Sequence, residues 1–400
     1  MNSVLILVAL AFLAVVCINW TLMSQSTDSV AFCPATGQCN CDGADYMSPN
    51  HPWKRDRSLQ LKDSPKKLLW FVQISDIHIS EYYDENRIRN FESFCAETIP
   101  AIKPSVVIAS GDLTDAKTKD YIGSRQSLKE WEAYQAAVKD SGVLSHTAWL
   151  DLRGNHDNFN VFDVHSPENH YRTHSVQGGT HLRSYKHTVM KDGDNYTFVA
   201  LDASPSPGMK KPFNFIGMVL EKEWDVARKL EEEARCSSFS VWFAHYPTSS
   251  ILAPSPGLRW LIRRSLVFLA GHFHTFGGMV PVMHAIHRPH GNLELELGDW
   301  KEGRRFRLAA IDNGLLSHAT VHFGQWPIVL VTNPKDARYL LPLHEPLDLM
   351  RTSTHIRVLV FSLGEVTEVR CRIDGGAWER MSANRNEPNL KWERTVMISS

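Results

Sequence analysis

From Leu68 onward the chain alternates between two hydrophobic patterns. Three short unbroken apolar runs, LLWFVQISD (68–76), PSVVIASGD (104–112) and TAWLDLRGNHD (147–157), have the length and density of strands covered on both faces. Between them, DENRIRNFESFCAETIPAI (84–102) places Ile88, Phe91, Phe94 and Cys95 on one side of a helix. SLKEWEAYQAAVKDSG (127–142) is amphipathic and stops at a glycine. A β-α-β-α-β order predicts an α/β core with neighbouring parallel strands.

The later half is richer in strands. Ser184–Lys191 and Tyr196–Asp202 read as a hairpin around KDGDN, and Glu221–Cys236 as a charged amphipathic helix. FSVWFAHYP (239–247) and SLVFLAGHFH (265–274) are two more buried strands. NLELELGDW (292–300) and RRFRLAAIDNG (304–314) alternate with period two, which predicts an antiparallel sheet with one wet face. The expected fold over residues 67–325 is an α+β sandwich of mixed sheets with flanking helices, an α/β class body. After residue 326, WPIVLVTNP, THIRVLVFSLG and VTEVRCRIDGGAW are short strands at sandwich spacing. They predict a partial all-β immunoglobulin-like module over 326–400, shorter than the roughly 100 residues such a domain usually takes.

The N-terminal pattern is different again. Val4–Met23 is nearly all apolar and carries no charge, enough helix to cross a bilayer core of roughly 30 Å. An uncleaved membrane anchor over 1–23 is expected; a cleaved signal peptide is the alternative, disfavoured by the missing basic n-region and cleavage site. Residues 24–66, with little periodicity, read as a linker. Cys33, Cys39 and Cys41 within it form either a small disulfide knot or a group of ordinary thiols. Asn195-Tyr196-Thr197 is a glycosylation sequon, which favours a membrane protein of the secretory pathway with a lumenal or extracellular body. Lys plus Arg is 43 and Asp plus Glu 44, so nothing in the charge calls for a nucleic-acid partner.

The chemistry lies where the apolar runs stop. Their ends read SDIH (Asp76, His78), GDLTD (Asp112, Asp115), GNHD (Asn155, His156, Asp157), AHYP (His245) and GHFH (His272, His274). Ligands of open α/β sheets bind beyond the carboxyl ends of strands, so these groups are expected to converge. In extended chain, residues i and i+2 share a face, which would aim Asp76 and His78 at one ion. Carboxylate, carboxamide and imidazole without thiolate suit manganese, iron, zinc or magnesium, and there are more donors than one ion needs. Two divalent metal ions sharing one carboxylate fit better, an arrangement suited to displacement at phosphorus by a metal-bound hydroxide.

The series D-x-H, G-D-x-x-D, G-N-H-D, H and G-H-x-H, spread over residues 76–274, resembles the calcineurin-like metallophosphoesterase superfamily. The resemblance implies that Asp76, His78 and His274 bind one metal, that Asp112 bridges, and that Asn155, His245 and His272 complete the other. It also implies that His156 contacts the phosphate and acts as general acid, and that Asp115 and Asp157 orient ligands. Further blocks, among them LELELGDWKEGRRFR and GQWPIVLVTNPK, resemble a membrane-anchored branch of the superfamily in which an immunoglobulin-like domain and more membrane helices follow. The chain resembles a shortened form. The expected activity is hydrolysis of phosphate mono- or diesters at a membrane reached through the N-terminal helix. A non-catalytic membrane scaffold with a structural metal site is the alternative. His165, His170, His174 and His181 are expected as exposed surface residues rather than a roof over the pocket, and Asp299 as a turn residue.

Overall fold

The computed structural model describes Leu61, residues 66–384 and the strand Glu393–Met397. The apolar segment 1–23, Cys33, Cys39, Cys41 and nearly all of the linker lie outside the described residues. Among the described residues, no helix is long and apolar enough to cross a membrane.

The first sheet contains β1 (Leu68–Ile74), β2 (Val106–Ala109) and β3 (Ala148–Asp151), all parallel, as the alternation of runs predicts. The hairpin β4 (Tyr185–Lys191) and β5 (Asp194–Ala200) turns at Asp192 and Gly193, both at positive φ (53° and 84°). It leads into the second sheet, which adds β6 (Phe239–Phe243), β7 (Val267–Ala270), β8 (Met283–Ile286) and β9 (Leu293–Glu296). Its order is β8-β9-β7-β6-β5-β4, parallel from β9 to β5 and antiparallel at both edges. The chain then returns to the first sheet as β10 (Arg305–Asp312) and β11 (Leu315–His322), completing the order β11-β10-β1-β2-β3.

Period-two alternation divides β1 between two cores. Leu69 and Phe71 face the second sheet and join Val106, Ile108, Phe198, Val241 and Leu269; Phe71 meets Phe198 edge-on at 5.3 Å. Leu68, Trp70, Val72 and Ile74 face outward under α1 (Asn86–Ser93) and α2 (Leu128–Asp140). On the far side α3 (Glu221–Ala234) lays Trp224, Ala227 and Leu230 over the outer face of the second sheet. Each fully buried large apolar side chain contributes about 1.5–3 kcal/mol, so sheets buried on both faces are the main stabilising feature.

The wet face expected for β9 and β10 does not exist. Both strands are buried along almost their full length, and their alternating polar residues are covered and bonded. Glu294 accepts Thr248 N (2.8 Å), Thr248 Oγ1 (2.6 Å) and His287 Nε2 (2.5 Å). Arg307 donates to Gln73 Oε1 and Glu296 O. Alternation marks two chemically different faces, and here partners inside the protein take the place of water.

The C-terminal module follows as β12 (Ile328–Asn333), β13 (His355–Phe361), β14 (Ser382–Asn384) and β15 (Glu393–Met397), in the antiparallel order β12-β13-β15-β14. Ile328, Leu330, Leu359 and Phe361 merge with the outer core of the first sheet, and Val358 and Val360 pack on Met381. The buried Arg357 Nε lies 2.8 Å from Asp312 Oδ2 of β10, which also accepts Thr332 Oγ1 at 2.7 Å. The module therefore shares apolar and ionic core with the α/β body.

Candidate metal centre

Five strands deliver side chains to one place. β1 ends at Ile74, just before Asp76 and His78; β2 ends before Asp112; β3 runs into Asn155 and His156; β6 precedes His245; and β7 precedes His272 and His274. Asp76, His78, Asp112, Asn155, His245 and His272 are all buried, and His274 is partly so.

The turns that aim them are not extended chain. Asp76 and His78 have φ of 54° and 50°, Asp112 53°, His272 80° and His274 51°. These left-handed conformations cost a non-glycine residue about 1–3 kcal/mol and survive only where surroundings impose them. Asp76 and His78 therefore do not reach the site by sharing one face of extended chain. Each side chain is turned into the site by its own backbone, while Ile77 between them is fully buried in the apolar core. Asp76 N to Gly111 O (3.0 Å) and His78 N to Asp112 O (2.8 Å) hold the first two loops together.

Two donor sets meet at Asp112. On one side, His78 Nε2 lies 3.4 Å from Asp112 Oδ2 and 3.3 Å from His274 Nε2, which is 3.0 Å from Asp76 Oδ1. On the other, His245 Nε2 lies 3.4 Å from Asp112 Oδ1 and 2.9 Å from Asn155 Oδ1, with His272 Nδ1 3.0 Å from that same amide oxygen. Asp76, His78, Asp112 and His274 form a group able to hold a metal ion. Three of the imidazoles have their tautomers set from behind. His78 Nδ1 faces Asp115 Oδ1 (3.1 Å), His245 Nδ1 faces Ser110 O (3.1 Å) and His272 Nε2 faces Phe215 O (2.9 Å). With the proton on the outer nitrogen, the inner one turns a lone pair into the site, as metal ligation requires. Inner nitrogens then face each other with no proton between them, His272 Nδ1 and His245 Nε2 at 3.1 Å. A cation is the group that satisfies such an arrangement.

The electrostatics agree. Burial pushes the Asp112 carboxyl well above its ordinary range, and the neighbouring Asp76 and Asp157 push it further. Burial opposes ionisation of Asp76 as well, but the charge and hydrogen bond of His274 hold its carboxyl far below the usual range. Burial drives His245 down to about 4 and keeps His78, His156 and His272 neutral. The neutral rings of His78, His245 and His272 and the closely spaced carboxyls in a dry site form a cage with an excess of electron pairs, while at His274 burial is outweighed by Asp76, which raises its pKa.

Asp115 and Asp157 have different duties. Asp115 orients His78 and also takes Lys117 Nζ at 3.0 Å. Asp157 accepts Leu113 N, Thr114 N, Thr114 Oγ1 and Gly154 N, all within 3.0 Å, and so ties the Asp112 loop to the Asn155 loop. His156 places Nδ1 2.5 Å from Asp115 O and Nε2 3.9 Å from Asp112 Oδ2, with its ring 4.3 Å from that of His78. Its backbone N donates to Asp112 Oδ1 at 2.8 Å.

The structure pairs His170 with His174, stacks His181 on Tyr185 and leaves His165 exposed, and among the described residues none of the four is in a group able to hold a metal ion. Asp299 caps its own turn by accepting Glu302 N (2.6 Å). Asn195 follows the hairpin turn and is half-buried. Sequence reasoning missed Asn214, whose amide donates to Asn155 O (2.7 Å), and Phe215, whose ring lies 4.4 Å from His272. It also missed Lys117 and Lys301. The aromatic spacing of KKPFNF was the only local signal for the loop that carries Asn214 and Phe215.

Residues 69–276 match the family model for calcineurin-like phosphoesterases, and residues 323–393 match the Ig-like domain of TMEM62. The chain is 45% identical over 312 residues to transmembrane protein 62 of Mus musculus, covering 77% of this chain and 48% of that one. A relative from Arabidopsis thaliana whose name contains metallophosphoesterase is 28% identical over 366 residues, covering 76% of this chain and 48% of its own. The chain thus spans about half the length of these curated relatives. The 5'-nucleotidase of Candida albicans aligns in structure over 65% of this chain and 52% of its own, with 13% identity and a TM-score of 0.39. With the donor blocks in order along the chain and the family match spanning 69–276, this chain belongs to the calcineurin-like phosphoesterase family.

Proposed function

We propose that the chain is a membrane-associated phosphoesterase that hydrolyses phosphate mono- or diesters with two divalent metal ions. The observation that carries this reading is the single carboxylate of Asp112, buried with one oxygen toward each of two donor sets. Asp76, His78 and His274 would hold one ion, Asn155, His245 and His272 the other, and Asp112 both. Manganese, iron, zinc and magnesium all suit these donors. When bound, the ions supply Lewis acidity that activates water and neutralises phosphoryl oxygens.

The protein's own groups do the rest. Asp115 fixes the ring of His78 and, through its carbonyl, that of His156. His156, at the site rim, takes up a proton as the phosphoester anion arrives and gives it to the leaving oxygen. The phosphorus–oxygen bond to the leaving group breaks as the oxygen of water joins phosphorus; the released alcohol keeps the proton from His156, and the proton shed by the water returns to His156 through solvent, so none is gained or lost over the cycle. Purified chain stripped with a chelator should lose at least about 100-fold in turnover of a chromogenic phosphoester, and re-adding one of these ions should restore it. Full activity in the metal-free protein would overturn the reading.

The apolar N-terminal segment supports a membrane location, as does the similarity to a protein named transmembrane. Cys236 is disulfide-bonded, a state typical of oxidising compartments, which supports a lumenal or extracellular body. Glycan at Asn195 is expected in material expressed through the secretory pathway, seen as a mass loss on deglycosylation that the Asn195→Gln variant lacks. Unmodified Asn195 together with a reduced Cys236 in cells would contradict this placement.

A further inference from the structure

Two lysines stand beside the cage, one of them paired with a carboxylate and the other within its electrostatic reach. Lys117 is only 9% exposed, and its Nζ is 3.0 Å from Asp115 Oδ1. Asp115 is already committed, with His78 Nδ1 at 3.1 Å and His156 Nδ1 at 3.7 Å from the same oxygen. Lys301 is set in place by its backbone. Trp300 N and Lys301 N donate to Ser75 O (3.1 Å) and Asp76 O (3.0 Å), the carbonyls flanking the first metal-facing carboxylate. Its ammonium lies beside that of Lys117, and burial followed by this neighbour lowers its pKa. Both lysines act electrostatically on His78, and Lys117 also on His156. Among the described residues Lys301 makes no ion pair. On the same rim Lys211 Nζ is tied to Tyr121 O at 2.5 Å.

Adjacent ammonium groups in a partly dry place repel each other, and an anion between them turns that cost into a gain. The anion has to sit near His156, where the phosphoryl group is expected. A phosphate monoester brings two ionised oxygens to that place. A diester brings one, and would press a second organic group against the ammonium groups. We propose that Lys117 and Lys301 form a subsite for the ionised oxygens of a terminal phosphate, so that the preferred substrates are phosphate monoesters. This rests on the hydrolase reading and narrows it.

The test uses the full metal-loaded chain with 4-nitrophenyl phosphate, bis(4-nitrophenyl) phosphate and inorganic phosphate. The parent should favour the monoester. A charge-assisted contact of this kind corresponds to about tenfold or more in affinity. Lys301→Ala should therefore weaken inorganic phosphate binding by about tenfold in calorimetry, with metal content and melting temperature kept. It should also lose at least about fivefold more kcat/KM on the monoester than on the diester. Lys301→Arg, which keeps the charge, should recover most of both. A parent that prefers the diester, or equal losses on the two esters, would overturn the subsite. If the parent turns over neither ester with metal bound, the hydrolase reading fails. The subsite is then judged on phosphate affinity, and an unchanged value in Lys301→Ala refutes it.

Discussion

Asp112→Asn should lower phosphoester turnover by about a thousandfold or more while leaving the metal-free protein at least as stable as the parent. The activity loss combines two effects. An amide offers one acceptor and one donor, so it serves only one of the donor sets that now share Asp112. It also removes the negative charge that offsets two cations, and an electrostatic defect at the reacting centre alone is worth about a hundredfold to a thousandfold. Stability moves the other way. In the metal-free protein Asp112 is buried beside Asp76 and Asp157, and its carboxyl is pushed well up by that burial and those neighbours. A folded-state pKa raised above the unfolded value means the ionised form opposes folding, and the cost grows as pH rises past the ordinary carboxylate range. Asparagine removes that cost at neutral pH and keeps the bond from His156 N. The checks are turnover, metal content, and melting temperature with and without chelator. Added metal should stabilise the parent and hardly affect the variant. A variant as active as the parent would sink the proposed mechanism. A parent that binds metal but hydrolyses no phosphoester would favour the scaffold alternative.

Gly154→Ala should damage the centre from the backbone side. A Cβ at Gly154 would stand 2.1 Å from Asp112 Oδ1 and 2.4 Å from Asp112 N. Neither atom can retreat easily, because Oδ1 accepts His156 N and the Asp112 backbone adopts a left-handed turn. Gly271 answers to the same demand, since a Cβ there would lie 2.3 Å from Asp76 Oδ2. The expected result for Gly154→Ala is metal affinity reduced by about 10- to 100-fold or more, and about 1–3 kcal/mol lost from the folded state by overpacking. Gly179→Ala, where the nearest atom is 3.8 Å away, should change neither. Metal titration by calorimetry and denaturant unfolding are the measurements; unaltered metal affinity in Gly154→Ala would show that the close approach is not needed.

Much of the centre was legible because its donors end apolar runs. Asp76, Asp112, Asn155, His245 and His272 each follow a strand that the hydrophobic pattern already marks as buried. Strands that run parallel put such ends on one edge of the sheet. The hairpin at KDGDN was legible for a different reason, since Asp-Gly suits a turn with two positive φ values. Less visible was the covering of β9 and β10. Period two reports that two faces differ, not whether the polar one meets water or a buried partner such as Thr248 or His287.

The donor types, their order and the parallel strands beneath them were determined by the sequence itself, because side-chain chemistry and hydrophobic period are local properties. Tertiary structure alone decided that Asp76, His78 and Asp112 would adopt left-handed turns, since only the loops packed against them can hold that strain. It also decided that Arg357 of the C-terminal module would find Asp312 of the α/β body, and that Lys301, 184 positions after Lys117, would lie beside it. Such pairings join residues far apart in the chain, and no local pattern carries their geometry.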